Sequence, residues 1–228
     1  MLFKGVAMTG KNLVVLGTHP DSLMWFDPVA HAYDEVWGMA HHDNIIEKAT
    51  RCFEAHSPEI VWEHGGNQHV NRLKWIANNI GLTTAYDWPM KLGKDHKVYT
   101  PKMLVADGVI RNRAQDWNND GSPIDETPYI ESSIGYILAC GLKSSWDNLY
   151  LYGINMDGSD EYSYQRPNIA YFIGKYEGRG TKVHLPPKCG LLNSQWTGRV
   201  YGHPKNINDI VYHLKPSSPR WMELNDAE

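Results

Sequence analysis

The chain is poor in cysteine, has no long apolar run, no strong excess of charge of either sign, no internal repeat and no low-complexity tract. Cys52, Cys140 and Cys189 are the only three cysteines. Odd in number and far apart, they do not make a disulfide framework or the close pairs of a zinc site, and they read as buried reduced thiols. Twenty-two basic and 26 acidic side chains leave a formal net charge of -4. No global field therefore draws the protein onto nucleic acid or an anionic membrane, although a local basic groove remains open. The opening MLFKGVAMTGKNLVVLG is too short and too interrupted in its apolar part for a signal peptide or a membrane span. A cytoplasmic protein with no membrane span is expected.

Three motifs of familiar chemistry are also missing. The Gly17-Thr18-His19-Pro20-Asp21-Ser22 turn lacks the Gly-Lys-Ser/Thr ending of a Walker loop and is not the three-glycine dinucleotide fingerprint; nor does HExxH or a comparable metal spacing occur anywhere. The expectation is that no metal is required.

What is present is an ordinary globular composition, 42% hydrophobic and 21% charged, without a break or linker, which predicts a single domain over 1–228. Nine Trp and 13 Tyr fit either an aromatic-rich core or the lining of a cleft or partner surface.

Apolar patterning predicts strands at Asn12–Leu16, Glu35–Gly38, Cys52–Glu54, Leu82–Tyr86, Asn148–Ile154 and Lys182–Leu185, with a weaker one at Glu59–Glu63. It predicts helices at Asp43–Ala49, Asn71–Asn79, Ser132–Leu142 and Pro167–Glu177, the last with Pro167 in its first turn. Helices between strands require crossovers, so the fold class is α/β, a Rossmann-like layer sandwich with a largely parallel sheet. The polar segment 106–128, with Asn118-Asn119-Asp120-Gly121, reads as a lid or surface loop, and 199–228 as a C-terminal extension. The basic residues between Arg199 and Arg220 favour a phosphate or nucleic-acid contact, partly cancelled by Glu223, Asp226 and Glu228.

In a parallel sheet the loops after the strands meet in one crevice, and the polar residues there are the candidates for chemistry. After the first strand, Gly17 permits close backbone approach while Thr18, His19, Pro20 and Ser22 surround it. The other reading is a plain strand-to-helix turn with Asp21 or Ser22 as cap. His41, His42 and His56 follow the second and third strands, and with His19 they are candidate metal ligands or general bases, although single histidines are more often structural. Ser132 and Ser133 open a helix whose free amides suit an anion, and a simple N-cap is compatible with that role. Asn155 and Asp157 follow the NLYLYGI strand. Tyr162, Tyr164, Gln165, Arg166 and Asn168 then crowd polar planar groups suited to phosphate oxygens, or else form an aromatic corner pinned by Arg166.

The stretch ESSIGYILACGLKSSWDNLYLYGINMDGSDEYSYQ, followed by RPNIAYFIGKYEGRGTKVHLPPKCGLLNS, resembles the bacterial lipo-oligosaccharide sialyltransferases through residues 131–193, and VVLGTHPDSL is loosely similar to that family's first turn. YQRPN and GRG are also similar to a group of small uncharacterised proteins of tailed bacteriophages. Residues 57–129 have no counterpart. The resemblance implies metal-independent glycosyl transfer from a cytidine-monophosphate sugar, with tyrosines stabilising the leaving phosphate and a histidine as base. On matching positions Gly17, Thr18, Pro20, Ser22, Ser132, Ser133 and Asn155 would touch the nucleotide, and Tyr162 and Tyr164 would face its phosphate. Where the family has its base, this chain has Gln165, Arg166 and Asn168 and no histidine. The base then comes from His41, His42 or His56 across the crevice, or the chemistry differs, or catalysis is lost.

The expected function is that of a nucleotide-sugar glycosyltransferase, with a cytidine- or uridine-linked donor and no other cofactor, acting on modified DNA, a nucleotide or a glycan in a phage setting. Its candidate catalytic residues are His41, His56, Tyr162, Tyr164 and Arg166. Its candidate nucleotide-binding residues are Gly17, Thr18, His19, Pro20, Ser22, Ser132, Ser133, Asn155, Asp157 and Gln165. A non-catalytic nucleotide-binding or sequestering protein and a nucleotide-dependent phosphotransferase or hydrolase are the alternatives, and homo-oligomerisation stays open.

Overall fold

The computed structural model describes residues 10–28, 33–111, 128–156, 160–187 and 189–192. Most of the segment expected as a lid, 112–127, and the whole C-terminal extension lie outside them. Among the described residues seven strands, β1 (Asn12–Leu16), β2 (Glu35–Met39), β3 (Arg51–Glu54), β4 (Leu82–Thr84), β5 (His96–Val98), β6 (Asn148–Tyr152) and β7 (Lys182–His184), form one sheet in the order β5-β4-β3-β2-β1-β6-β7. Every pairing is parallel. The α/β layered fold expected from the sequence is the fold observed.

β1 lies inside the sheet between β2 and β6, and all five of its residues are buried. Parallel sheets are covered on both faces, which is why this strand is apolar throughout instead of alternating. Its side chains divide by parity. Leu13 and Val15 join Trp37, Phe53 and the apolar faces of α5 (Ser133–Gly141) and α6 (Asp160–Glu177). Val14 and Leu16 join Val36, Ile45 and Tyr150 beneath α1 (Pro20–Leu23) and α2 (Asp43–Ile46). A third cluster packs Cys52 and Leu82 against Val70, Leu73, Ile76 and Ala77 of α3 (Pro58–Asn79).

Two expectations require correction. Glu59–Glu63 is not a strand but the start of α3, entered through Ser57 with Pro58 in the first turn. Within it Gly66 takes a non-helical φ of 51°, so two helical stretches meet at a kink. Pro167 is not in the first turn of its helix but inside α6. Proline there removes one backbone donor, a loss offset by burial of Ile169, Phe172, Ile173 and Tyr176. The pattern also missed β5, a short edge strand with one exposed and two half-buried residues, and α4 (Pro101–Ala106), capped by Thr100 accepting from the Met103 amide at 3.2 Å.

No helix among the described residues is long and apolar enough to cross a membrane. All three cysteines are free and buried, and burial pushes the Cys140 thiol up to about 12. Native protein should therefore leave its three thiols largely unmodified by an aromatic disulfide reagent at pH 8 and release all three on denaturation. Rapid modification of two or more in the folded state would contradict their burial.

Candidate functional site

The strand order reverses at β1: the chain runs outward through β2, β3, β4 and β5, then returns to place β6 on the other side. In open parallel sheets ligands bind outside the carboxyl ends of the strands at such a point. Here the β1 and β6 loops run in contact. The Gly17 amide donates to the Tyr152 carbonyl at 2.7 Å and the His19 amide to the Gly153 carbonyl at 2.9 Å. A Cβ on Gly17 would overlap the Gly153 carbonyl, and one on Gly153, whose φ is 72°, would overlap the Gly17 carbonyl. Ser22 donates its hydroxyl to Asn155 Oδ1 at 2.5 Å, a buried cross-link between the same two loops. Met156 completes the β6 loop with a φ of 54°, a left-handed conformation uncommon outside glycine.

Together these loops line a cavity of about 510 Å³ with the amino ends of two helices. Gly17, Thr18, His19 and Pro20 come from the first turn; Gly153, Ile154, Asn155 and Met156 from the β6 loop; Ser132, Ser133 and Ile134 from the start of α5; and Tyr162 and Gln165 from α6. Ser132 is the N-cap of α5, its hydroxyl accepting from the Gly135 amide at 2.9 Å. Cap and cavity roles therefore coincide. The start of α5 is held by Asn168, fully buried, which accepts from the Glu131 amide at 3.2 Å and donates to the Tyr129 carbonyl at 3.0 Å.

The opposite wall carries Met39, His41 and His56. Beneath it lies Glu54, the last residue of β3, with no exposed side-chain surface. Its Oε1 accepts from the His56 amide at 3.0 Å and pairs with His56 Nδ1 at 2.6 Å, while Oε2 pairs with His69 Nε2 at 3.2 Å. Burial pushes the Glu54 carboxyl up, but the hydrogen bonds from His56 and His69 outweigh it and hold the group at about 2. The bond to Glu54 raises His56. Burial lowers His41 to about 4, so its ring is neutral near pH 7. Donor atoms of His41, Glu54 and His56 all lie within 4.8 Å of one another, close enough for a shared cation.

A second cavity of about 810 Å³ adjoins the first through His56, Ser132, Ser133 and Gln165, and extends along Tyr86, Asp87, Lys102 and Tyr136. The site thus has room for two groups meeting at His56.

Of the residues singled out in the sequence, Gly17, Thr18, His19, Pro20, His41, His56, Ser132, Ser133, Asn155, Tyr162 and Gln165 share one cavity. Ser22 does not line it and acts through Asn155. Arg166 does not line it either: its guanidinium donates to the Leu191 carbonyl at 2.7 Å and to the Gly190 carbonyl, tying the chain after β7 to α6. His42 precedes α2, with its ring 4.3 Å from that of His41 and outside the cavity lining. Asp157 and the side chain of Tyr164 lie outside the described residues. Sequence reasoning missed Glu54 and His69. The available signal was a carboxylate ending a buried strand two residues before a histidine, a charge whose burial demands partners.

Comparison with family models, with curated proteins and with solved structures yields no match.

The contact between the β1 and β6 loops leaves no space for a methyl group. Gly17→Ala is expected to cost ~1–3 kcal/mol by forcing the loops apart, whereas Gly174→Ala, in α6 with open space around it, should raise stability by ~0.5–1 kcal/mol. Denaturant melts of the two variants check this; equal effects would refute the packing account.

Proposed function

We propose that the crevice at the β1–β6 junction binds the phosphate of a nucleotide or nucleotide sugar and that the protein transfers the group the nucleotide carries. One observation carries this reading: two glycine-bearing strand-end loops and the amino end of α5 line a single cavity. Helix amino ends present unpaired amides and positive dipole to an anion. The hydroxyls of Ser132, Ser133 and Tyr162 and the amides of Asn155 and Gln165 add neutral hydrogen-bonding groups. Such donors stabilise the charge that develops on a leaving phosphate.

The site departs in one respect from what the resemblance to sialyltransferases implies. Gln165 occupies the wall where that family would carry its base, and the histidines stand opposite, at His41 and His56. We place the reactive groups on that opposite wall, with the adjoining cavity for the acceptor. Glycosyl transfer is the leading reading, because the departing nucleotide phosphate is the group that the hydroxyl and amide side is built to receive.

A thermal-shift series with cytidine and uridine monophosphates and their sugar conjugates tests this, run in a chelator so that only the protein's own groups are read. At a hundredfold over its dissociation constant a ligand adds ~2.7 kcal/mol, equivalent to ~5–10 °C for a chain of this size. Tyr162→Phe should melt with the unliganded wild type and show at least a severalfold weaker response to the same nucleotide. If no nucleotide raises the melting temperature, or if the Tyr162→Phe response matches the wild type, the proposed phosphate site is wrong.

A further inference from the structure

We infer that His41, Glu54 and His56 form a site for one divalent transition-metal ion on the wall of the crevice facing the proposed phosphate subsite. This goes beyond the nucleotide reading and does not depend on it. It also departs from the metal independence that the resemblance implies.

The donor set is two imidazoles and one carboxylate, a combination that suits borderline ions such as zinc, iron(II), cobalt(II) and nickel. Donor atoms from the three residues lie within 4.8 Å of one another. Ligand atoms around a tetrahedral ion with bonds of ~2.1 Å stand about 3.4 Å apart. The separations, up to 4.8 Å, therefore need to close by up to about 1.4 Å, and the 2.6 Å pairing of His56 Nδ1 with Glu54 Oε1 needs to open by about 0.8 Å. The His56 side chain has 46% of its surface exposed, which leaves it room to turn.

Two further features set this cluster apart from a chance grouping. Nδ1 of His41 is buried and has no hydrogen-bond partner among the described residues, an unfavourable state for a ring nitrogen that a metal bond would relieve. Glu54 is anchored from its far side, where Oε2 pairs with His69 Nε2. Ligating carboxylates are commonly held in that way by an outer partner, which fixes their orientation.

Entry of the ion replaces the His56–Glu54 hydrogen bond by two metal bonds. To coordinate through Nδ1, His56 gives up the proton that it shares with Glu54: a neutral ring exchanges it through solvent for one on Nε2, a protonated ring releases it to solvent and keeps the proton on Nε2, and Glu54 coordinates through Oε1. The three ligands come from two short chain segments at the carboxyl ends of β2 and β3, leaving the cavity side for water or a ligand oxygen. An ion there would act as a Lewis acid toward an oxygen bound in the crevice.

The full chain, stripped of metal, should bind one Zn²⁺ per molecule in equilibrium dialysis, and one Co²⁺ should give the visible absorption of a nitrogen- and oxygen-ligated ion. His41→Ala and His56→Ala should each weaken Zn²⁺ binding by about 100-fold or more, and His69→Ala by about 10–100-fold. His64→Ala, on the exposed side of α3, should leave it unchanged. The histidine variants decide the matter even if Glu54→Gln fails to fold. Absence of saturable one-to-one binding, or wild-type affinity in either His41→Ala or His56→Ala, overturns the site. Because the nucleotide shifts are read in chelator and the metal binding without nucleotide, either reading fails without the other.

Discussion

The close approach of the β1 and β6 loops is the constraint on which the site depends. Two carbonyls, those of Gly17 and Gly153, stand where side chains would otherwise be, and two hydrogen bonds from backbone amides to carbonyls hold the loops in that position. Because β1 and β6 pair in register from Asn12 and Asn148 to Leu16 and Tyr152, the loops leave the sheet side by side and in the same direction. The Ser22–Asn155 bond then fixes the next turn of each. On the hydroxyl and amide side of the crevice the Asn155 side chain is referred to that junction, while the amino end of α5 is held by Asn168 of α6.

The other wall depends on a buried charge. A carboxylate without solvent is strongly unfavourable unless donors surround it, and Glu54 receives three, from the His56 amide, His56 Nδ1 and His69 Nε2. The histidine positions follow from the fold: His41 lies just after β2, His56 just after β3 and His69 on α3, which packs back over β3 and β4. β2 and β3 are neighbours in the sheet, so residues that are 15 apart in sequence become adjacent at its edge. A charged side chain at this position does little for core stability and is better understood as holding the rings in place.

The hydroxyl and amide side was readable in the sequence to the extent that strand ends were. NLVVLG and NLYLYG each mark a buried strand running into a glycine, and with helices between strands the parallel rule brings such ends to one edge. Arg166 and Ser22 were not separable from their neighbours on this basis. Their residue types suit phosphate binding, yet one folds back to the carbonyls of Gly190 and Leu191 and the other turns inward to Asn155. Residue type states what a side chain is able to do, whereas its direction depends on the rotation of the element that carries it.

From the sequence alone came the α/β class, the central apolar strands, the helix led by Ser132 and the buried state of the three cysteines, because each follows from local periodicity, capping or composition. The tertiary structure alone decided that Glu59–Glu63 belongs to a helix, that α6 continues through Pro167, and that Glu54 gathers His56 and His69 beneath His41. These outcomes rest on contacts between residues distant in the chain: burial against the sheet overrides a local preference, and a buried carboxylate selects its partners through space.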